Sequence, residues 1–547
     1  MTPTRRAKFT PPTSAPHARE REVTFGVAGG FHGGVPSQGV PKGFSPKVQN
    51  FVPSGDGFIT PRSGLSSSSL TISAGGEPQN HGVVLGGWET YNVGGGRFAV
   101  ASARTNINLL TSSTLLWSRY SYVAGNQSWH AGAVSINTFG YYKAETIYDA
   151  VLNANICVFS NNSNSLKWFN TADILVSALT YSDFTWPDSI NSTHAAADMT
   201  SVSDRLVFFN TTSSAGVKTP TRVMWSARGN PRSFLVADGA GAEDLMEMRG
   251  VGQACIRFKD FVLFFSEFDI WRGTPTFDDY VFRFDRVIDG IGTPYPRTVV
   301  TTPKGVIFLG RDQEVYITDG VNVAPLGPME GAGESRIQAK IRGEMTDGTR
   351  CWGVYNQKLN RYELYYSIDD SPGDYPSRGL FYDFNTQTWW PQVFTHGLSV
   401  GFEYIDPFVS FIGGDGILYD QRTIYTFDSF GTWHRFMSGK TNDSGATIDA
   451  RWRSPGAKNA TRKAHLKEVW IDADVDSASS ASVWIGSARC GSVFTSERQV
   501  RLTPANDPTF VPVFTTDNAP SFEIRIADGG RPRIASFSAT LQDASKF

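Results

Sequence analysis

The sequence has little cysteine, and it lacks long apolar runs. Its 547 residues include four cysteines, Cys157, Cys255, Cys351 and Cys490, which are too widely spaced for a CxxC motif or a zinc-binding set. We therefore expect buried thiols in a chain synthesised in a reducing cytoplasm. The best apolar run, residues 261–265 (FVLFF), is far shorter than the ~18–20 residues of a membrane-spanning helix.

An excess of charge of either sign is also missing. The chain has 50 Lys+Arg and 52 Asp+Glu, a formal net charge of −2, and charged residues make up 19% of it. A dedicated nucleic-acid binder would normally carry a basic excess. Aromatic residues (13%) and glycine (54 residues) are plentiful instead. Because these residues are typical of strands and tight turns, the composition predicts an all-β fold.

Short β-branched and aromatic runs, divided by turn residues, recur from about residue 66 to 440. They predict strand–turn–strand units at 115–123 with 127–134, 305–309 with 314–318, 351–355 with 362–367, and 379–382 with 389–394. Helical patterns are scarce. The better one spans 335–345, where Ser335 and Gln338 fit a capping box, and a weaker one spans 242–248.

These patterns divide the chain into four parts. Residues 1–24 are predicted to be a basic, extended arm, and 25–65 a Gly/Pro-rich segment leading into the next domain. Residues 66–440 are predicted to form a β-propeller of about six blades, marked by Trp168, Trp225, Trp271, Tyr316, Tyr382 and Tyr419. Stacked β-sandwiches are the alternative for this part. Long alternating runs in 441–547 predict a separate β-sandwich.

Motifs for enzymatic chemistry are missing from the sequence. It contains no GxxxxGK[ST], HExxH or GxSxG pattern. We therefore expect no enzyme activity, no cofactor and no small-molecule substrate.

Two groups of acidic residues leave alternatives open. Alternating Asp472, Asp474 and Asp476 favour a solvated strand face, with a bound cation as the alternative. A second group lies among aromatic residues and fits either the rim of a propeller or a glycosidase cleft. Its members are Glu267, Asp269, Asp278, Asp279, Asp285 and Asp289.

Basic residues give the candidate contact sites. The N-terminal arm contains Arg5, Arg6 and Lys8, and a second cluster contains Arg451, Arg453, Arg462 and Lys463. Such side chains could contact DNA phosphates or an acidic face of a neighbouring subunit, and a solvated face is the plain alternative.

Several segments resemble a known family. They are 203–210 (SDRLVFFN), 220–226 (PTRVMWS), 229–231 (GNP), 289–292 (DGIG), 296–300 (PRTVV), 305–312 (GVIFLGRD) and 315–320 (VYITDG), with 29–31 (GGF), 42–45 (KGFS), 49–51 (QNF) and 61–64 (PRSG) near the start. Together they resemble the tail nozzle proteins, the tail tubular protein B-like family of short-tailed bacteriophages.

The resemblance implies a structural virion protein. It implies a homohexameric ring of propeller subunits below the tail adaptor ring, beside tail fibres or spikes. That ring would be the channel that retains double-stranded DNA and through which the DNA is ejected during host cell entry. It supplies no catalytic residues. A tail-associated polysaccharide-degrading enzyme and a receptor-binding tail protein are the alternatives.

Overall fold

The computed structural model covers the whole chain and describes most of it. The described residues are 20–33, 39–67, 84–94, 97–107, 110–121, 126–132, 141, 143–160, 166–172, 182–183, 193–213, 215–276, 280–327, 329–330, 334–335, 337–346, 348–368, 375–412, 418–428, 433–436, 442–456, 464–474, 481–488, 495–502, 509–517, 520–528 and 530–543. They fall into two compact units. Unit 1 takes those within Met1–Pro61 and Asp449–Phe547, and unit 2 those within Arg62–Ile448.

Both units consist of antiparallel sheets, so the predicted all-β class is confirmed. The first five strands are short: β1 (Glu20–Gly26), β2 (Val48–Gln49), β3 (Phe51–Pro53), β4 (Ile59–Pro61) and β5 (Leu65–Ser67). Among the described residues, no helix is long and apolar enough to cross a membrane.

The described part of unit 2 contains seven four-stranded sheets. Sheets one to three contain β6 (Val84–Tyr91), β7 (Arg97–Ile107), β8 (Leu110–Ser121) and β9 (Asn126–Gly132); β10 (Lys143–Asp149), β11 (Ala154–Ser160), β12 (Lys167–Asn170) and β13 (Ser182–Asp183); and β14 (Thr193–Val202), β15 (Arg205–Ser213), β16 (Lys218–Trp225) and β17 (Gly241–Asp244).

The next three sheets follow the same order. They contain β18 (Gly252–Phe258), β19 (Phe261–Ser266), β20 (Asp269–Pro275) and β21 (Phe282–Asp289); β22 (Val300–Thr302), β23 (Gly305–Leu309), β24 (Val315–Thr318) and β25 (Val323–Pro325); and, after the pair β26 (Met329–Glu330) and β27 (Glu334–Ser335), β28 (Trp352–Asn356), β29 (Arg361–Tyr366), β30 (Arg378–Asp383) and β31 (Thr388–Val393).

The seventh sheet joins two distant parts of the chain. Strands β32 (Leu398–Ile412), β33 (Leu418–Asp428) and β34 (Trp433–Phe436) are completed by β5, which pairs with β34. The first strand of every sheet lies beside the first strand of the next, and β32 lies beside β6, so the sheets follow one another in a closed circle. The arrangement is β-propeller-like. A short pair, β35 (Asn442–Asp443) and β36 (Ala446–Thr447), follows β34.

Apolar side chains fill the space between neighbouring sheets. Phe208 and Ile156 belong to a cluster formed by sheets two and three, whereas Phe209 and Phe264 belong to the cluster of sheets three and four. Adjacent residues of β15 thus point into different clusters. Because these middle strands are buried on both faces, they appear in the sequence as continuous apolar runs.

Seven sheets are one more than the six blades favoured by the sequence. The six aromatic markers Trp168, Trp225, Trp271, Tyr316, Tyr382 and Tyr419 lie on strands of sheets two to seven, one in each. None of these markers lies in the first sheet, although it contains Trp88, Trp117 and Trp129.

Unit 1 contains two larger sheets. The remaining strands are β37 (Ala450–Arg453), β38 (Ala464–Asp474), β39 (Ala481–Ala488), β40 (Thr495–Leu502), β41 (Thr509–Asp517), β42 (Ser521–Ile526) and β43 (Arg533–Asp543). One sheet has the order β3-β4-β43-β38-β41, with β1 also paired to β43, and the other has the order β2-β37-β42-β39-β40. Trp452 from the second sheet and Phe537 from the first are in ring contact, with centroids 4.8 Å apart, so the inner faces share an aromatic core.

The N-terminal part of the chain contributes to both units. Residues 20–24 of the predicted arm belong to β1, which pairs with β43 from Glu20 opposite Gln542 to Gly26 opposite Ser536. Within the predicted segment 25–65, strands β2, β3 and β4 pair inside unit 1, and β5 pairs inside unit 2. Residues 1–19 lie outside the described part of the chain.

The helical predictions had mixed outcomes. Helix α1 spans Gln338–Glu344, so a helix forms within the predicted range. The capping box does not form: Ile337 is the N-cap, Ser335 lies in β27, and the Gln338 side chain donates to the Asp312 carbonyl at 3.2 Å. The weaker prediction, 242–248, was wrong. Its first residues belong to β17, where pairing with β16 outweighs the local preference.

Candidate functional site

The predicted basic cluster lies on β37, in a network of ion pairs within unit 1. Arg451 contacts Asp449 at 2.6 Å and Glu523 at 3.5 Å, and Arg453 contacts Glu523 at 2.9 Å. Lys47 and Arg525 contact the same two carboxylates, so four cations surround two anions. In these ion pairs the cations outnumber the carboxylates by two. Arg5, Arg6, Lys8, Arg462 and Lys463 lie outside the described residues.

The predicted acidic group does not form one cleft in the described residues. Asp269 is buried and accepts the backbone N–H of Arg249, Asp289 pairs with the Arg249 side chain, and Asp285 pairs with Arg283. Glu267 accepts a hydrogen bond from Gln253 at 3.3 Å. Asp278 and Asp279 lie outside the described residues. Asp269 and Asp289, which are opposite each other in the pairing of β20 with β21, share Arg249, whereas Asp285 and Glu267 have other partners.

The alternating aspartates of β38 face outward, as predicted. Asp472 and Asp474 are exposed, and their carboxylates lie 3.5 Å from the Ser536 hydroxyl and the Arg533 guanidinium respectively. Asp476 lies outside the described residues. Within the part of the chain that the structure describes, no group of three or more His, Cys, Asp or Glu residues is placed to hold a metal ion.

Two further carboxylates, Glu145 and Asp198, lie on the first strands of neighbouring sheets in unit 2. Glu145 is on β10 of sheet two, and Asp198 is on β14 of sheet three, the neighbouring first strand. The Ser201 hydroxyl donates to Glu145 Oε1 at 2.5 Å, and Lys143 Nζ lies 3.6 Å from Asp198 Oδ2. The backbone N–H of Cys255, on the first strand of sheet four, donates to Asp198 at 3.1 Å. Three adjacent sheets thus build one polar cluster.

Burial raises the pKa values of the two carboxyl groups in this cluster. Desolvation raises the pKa of Glu145 to about 7, despite the Ser201 hydrogen bond, and the Asp198 charge raises it further. The pKa of Asp198 is also raised by burial, which the Lys143 charge partly offsets. A carboxyl group that titrates near neutral pH can donate and recover a proton, as a general acid must. Glu145 is half-buried and Asp198 is buried, and carboxyl groups with perturbed pKa values are candidates for catalysis.

The sequence analysis did not single out Glu145 or Asp198. Asp198 follows the alanine run 195–197 inside an apolar strand, and an acidic residue in such a run is the signal that could have identified it. Glu145 has no such signal, because its neighbours Ala144 and Thr146 are ordinary for a half-buried strand. Its proximity to Asp198 comes from the contact between two sheets.

No family model and no curated protein matches the sequence. Solved structures do match. An exo-β-1,3-galactanase from Phanerochaete chrysosporium with bound β-1,3-galactotriose is 10% identical and has a TM-score of 0.26, over 74% of this chain and 96% of that one. A structure described as a glycoside hydrolase is 8% identical, with a TM-score of 0.28, over 85% of this chain and 100% of the other.

These similarities correct one prediction from the sequence. The expectation that the chain is not an enzyme finds no support among the solved structures that match, since these are glycoside hydrolases. Of the functions predicted from the sequence, the polysaccharide-degrading alternative is the one that belongs to their class. At identities of 8% to 10% and TM-scores of 0.25 to 0.28, no substrate, residue role or mechanism is transferred from them.

Proposed function

We propose that the chain is a structural subunit of the tail nozzle of a short-tailed bacteriophage. In this proposal unit 2 is a seven-bladed β-propeller and unit 1 is a β-sandwich, and copies assemble into a hexameric ring below the tail adaptor. Tail fibres or spikes lie beside the ring, and double-stranded DNA passes through it.

The observation that carries this proposal is the position in the fold of the segments that resemble tail nozzle proteins. Segments 203–210 and 220–226 form the central hairpin of sheet three, β15 and β16, and the segments from 296 to 320 supply β22, β23 and β24 of sheet five. Left-handed backbone occurs in turns at Asp204 (φ 59°) and Gly290 (φ 85°), and at Asn210 (φ 54°) inside β15, where its register with β16 shifts. The segments that carry the resemblance therefore belong to strands and turns of sheets three and five.

The charges of unit 1 fit contacts with a neighbouring subunit. Arg451 and Arg453 sit in the network with excess positive charge, and Glu523 in its centre is buried. A closed ring requires heterologous contacts, in which one patch meets a different patch on the next copy. We propose that this network faces such a patch, with Arg462, Lys463 and the basic arm (Arg5, Arg6 and Lys8) as further contacts.

Size-exclusion chromatography with light scattering tests this proposal. The full chain should elute as a closed oligomer of defined size at low salt, and doubling the salt should shift it towards the monomer. Replacing both Arg451 and Arg453 by Gln should shift it further, whereas Arg228→Gln, at an exposed pair, should not. A monomer at every protein and salt concentration would refute the ring.

Cleavage of polysaccharide is the second candidate function, and the Glu145–Asp198 pair favours it. Glycoside hydrolysis uses one protonated and one ionised carboxyl group, and a pKa near 7 at Glu145 keeps part of that group protonated at neutral pH. Host surface polysaccharide should then be shortened by the wild type, and Glu145→Gln should remove the activity. Equal cleavage by wild type and both Glu145→Gln and Asp198→Asn variants would exclude this pair as the site.

A further inference from the structure

A groove of about 520 Å³ lies on the outer face of the six-stranded sheet of unit 1. One aromatic ring, Trp470, lines it together with three carboxylates and three hydroxyls. The carboxylates are Glu22, Glu468 and Asp472, and the hydroxyls are Ser536, Ser538 and Thr540. The volume lies in the range of small-molecule sites, which is about 300–1,000 Å³.

Strand register builds this groove in rows across β1, β43 and β38. Glu22 pairs with Thr540, which pairs with Glu468, and the next outward row places Thr24, Ser538 and Trp470 side by side. Side chains two residues apart on a strand share one face, so the rows form a flat polar surface around the indole. Trp470 is 37% exposed, which is unusual for so large an apolar side chain on a sheet face.

The carboxylates of the groove already accept hydrogen bonds from neutral donors. Glu468 Oε1 accepts the Thr540 hydroxyl at 2.7 Å and lies 3.4 Å from Trp470 Nε1. Thr24 Oγ1 and Ser538 Oγ are 3.1 Å apart. This face is thus built to exchange hydrogen bonds with hydroxyl groups, and each carboxylate has further acceptor capacity.

The charge of the lining residues limits the classes of ligand that the groove can bind. No Lys or Arg is among the lining residues, so phosphate groups of DNA or anionic lipid would be repelled by three carboxylates. Lys467 pairs with Glu20, and Arg533 lies 3.5 Å from Asp474, so cations of the chain already balance neighbouring acids of the same sheet. The three lining carboxylates are not members of these pairs, so a cationic partner is the competing occupant that the titration has to distinguish from a saccharide.

From these observations we propose that the outer face of this sheet binds a neutral saccharide through Trp470. The C–H face of a pyranose ring packs on the indole, and its hydroxyls donate to Glu22, Glu468 and Asp472 and exchange hydrogen bonds with Ser538 and Thr540. This binding goes beyond the nozzle and the cleavage proposals, because it requires neither a ring nor Glu145.

Isothermal titration of the full chain tests the proposal, with cellohexaose, laminarihexaose, maltohexaose and a β-1,4-galactan hexasaccharide as probes. At least one should bind with a Kd below about 1 mM, Trp470→Ala should weaken it at least ten-fold, and Trp470→Phe should weaken it less, since the ring face is kept. Tyr91→Ala, at an exposed aromatic residue of unit 2 (44% exposed), should bind like the wild type.

Three results would overturn the proposal. Absence of binding to all four probes is the first, and undiminished binding by Trp470→Ala is the second. The third is that pentalysine or a DNA duplex binds more tightly than every saccharide and that Trp470→Ala abolishes this binding. Such a result would identify a charged partner. Circular dichroism of Trp470→Ala should match the wild type, and Glu22→Gln combined with Asp472→Asn provides an independent second variant for the same titration.

Discussion

Arg62 and Asp443 form a buried, bidentate ion pair between the two ends of unit 2. The guanidinium nitrogens lie 2.8 and 2.5 Å from the two carboxylate oxygens, and both side chains are 2% exposed. Asp443 also accepts the backbone N–H of Leu65 at 3.1 Å, directly at the start of β5. The pair therefore fixes the N-terminal strand at the point where it completes the seventh sheet.

Breaking this pair should destabilise unit 2 strongly. Asp443→Asn leaves the buried Arg62 charge without its partner, which typically costs about 3–5 kcal/mol of unfolding free energy. Arg228→Gln, which removes an exposed pair with Asp204, should cost less than about 1 kcal/mol. Urea denaturation measures both. Equal midpoints for the two variants would show that the pair does not hold the closing strand.

The contact between the first and seventh sheets can be tested at Gly87. A Cβ at this position of β6 would lie 2.5 Å from the Phe402 ring of β32, so Gly87→Ala should cost about 1–3 kcal/mol through overpacking. Gly343→Ala, in α1 with nothing within 4 Å, should be neutral or slightly stabilising. Adding Phe402→Ala to Gly87→Ala should relieve the overlap, so the double mutant should lose less stability than the two single losses combined. Additive losses would argue against the closed circle.

Glu145 should make stability fall as pH rises through neutrality. Its pKa is raised from 4.5 to about 7 in the folded chain, so between these values the folded state holds a proton that the unfolded state has released. Unfolding therefore becomes easier from pH 5 to pH 8, by at most about 3 kcal/mol from this group. Melting curves at several pH values should show a flatter dependence for Glu145→Gln. Identical slopes for wild type and variant would contradict the raised pKa.

Strand β1 should matter for the folding of unit 1. Phe25 is 2% exposed and packs edge-on against Phe522, with ring centroids 5.7 Å apart. Phe25→Ala should cost about 3–5 kcal/mol, whereas removing residues 1–19 should leave melting unchanged and weaken assembly at high salt first. Differential scanning calorimetry and light scattering measure these effects. A large loss of melting temperature on removing 1–19 would place that segment in the core.

Much of the strand pattern was available from the sequence, because turns and hairpins are local. The unit predicted at 305–309 with 314–318 is β23 with β24, and 379–382 with 389–394 is β30 with β31. Residues 337, 341 and 345 are buried on one face of the predicted helix. These predictions needed only alternation, turn residues and spacing.

Long-range pairing could not be predicted from the same patterns. Leu65 pairs with Phe436, and Glu20 pairs with Gln542, yet the local sequence of these strands does not indicate which strand each will pair with. The Glu145–Asp198 pair was not predicted for the same reason, since the two residues are brought together by the contact between two sheets. The groove around Trp470 needs three strands in register, and only the alternation of the aspartates on β38 was visible in the sequence.

Single-particle electron microscopy of the purified full chain tests the nozzle proposal most directly. We predict closed rings with a central channel and six-fold symmetry, with a particle mass six times that of the 60.0 kDa chain. Closed rings with a different number of subunits would still support a channel and would correct only the predicted copy number. Separate single chains at low salt and high protein concentration, with no ring class among the particles, would contradict the account.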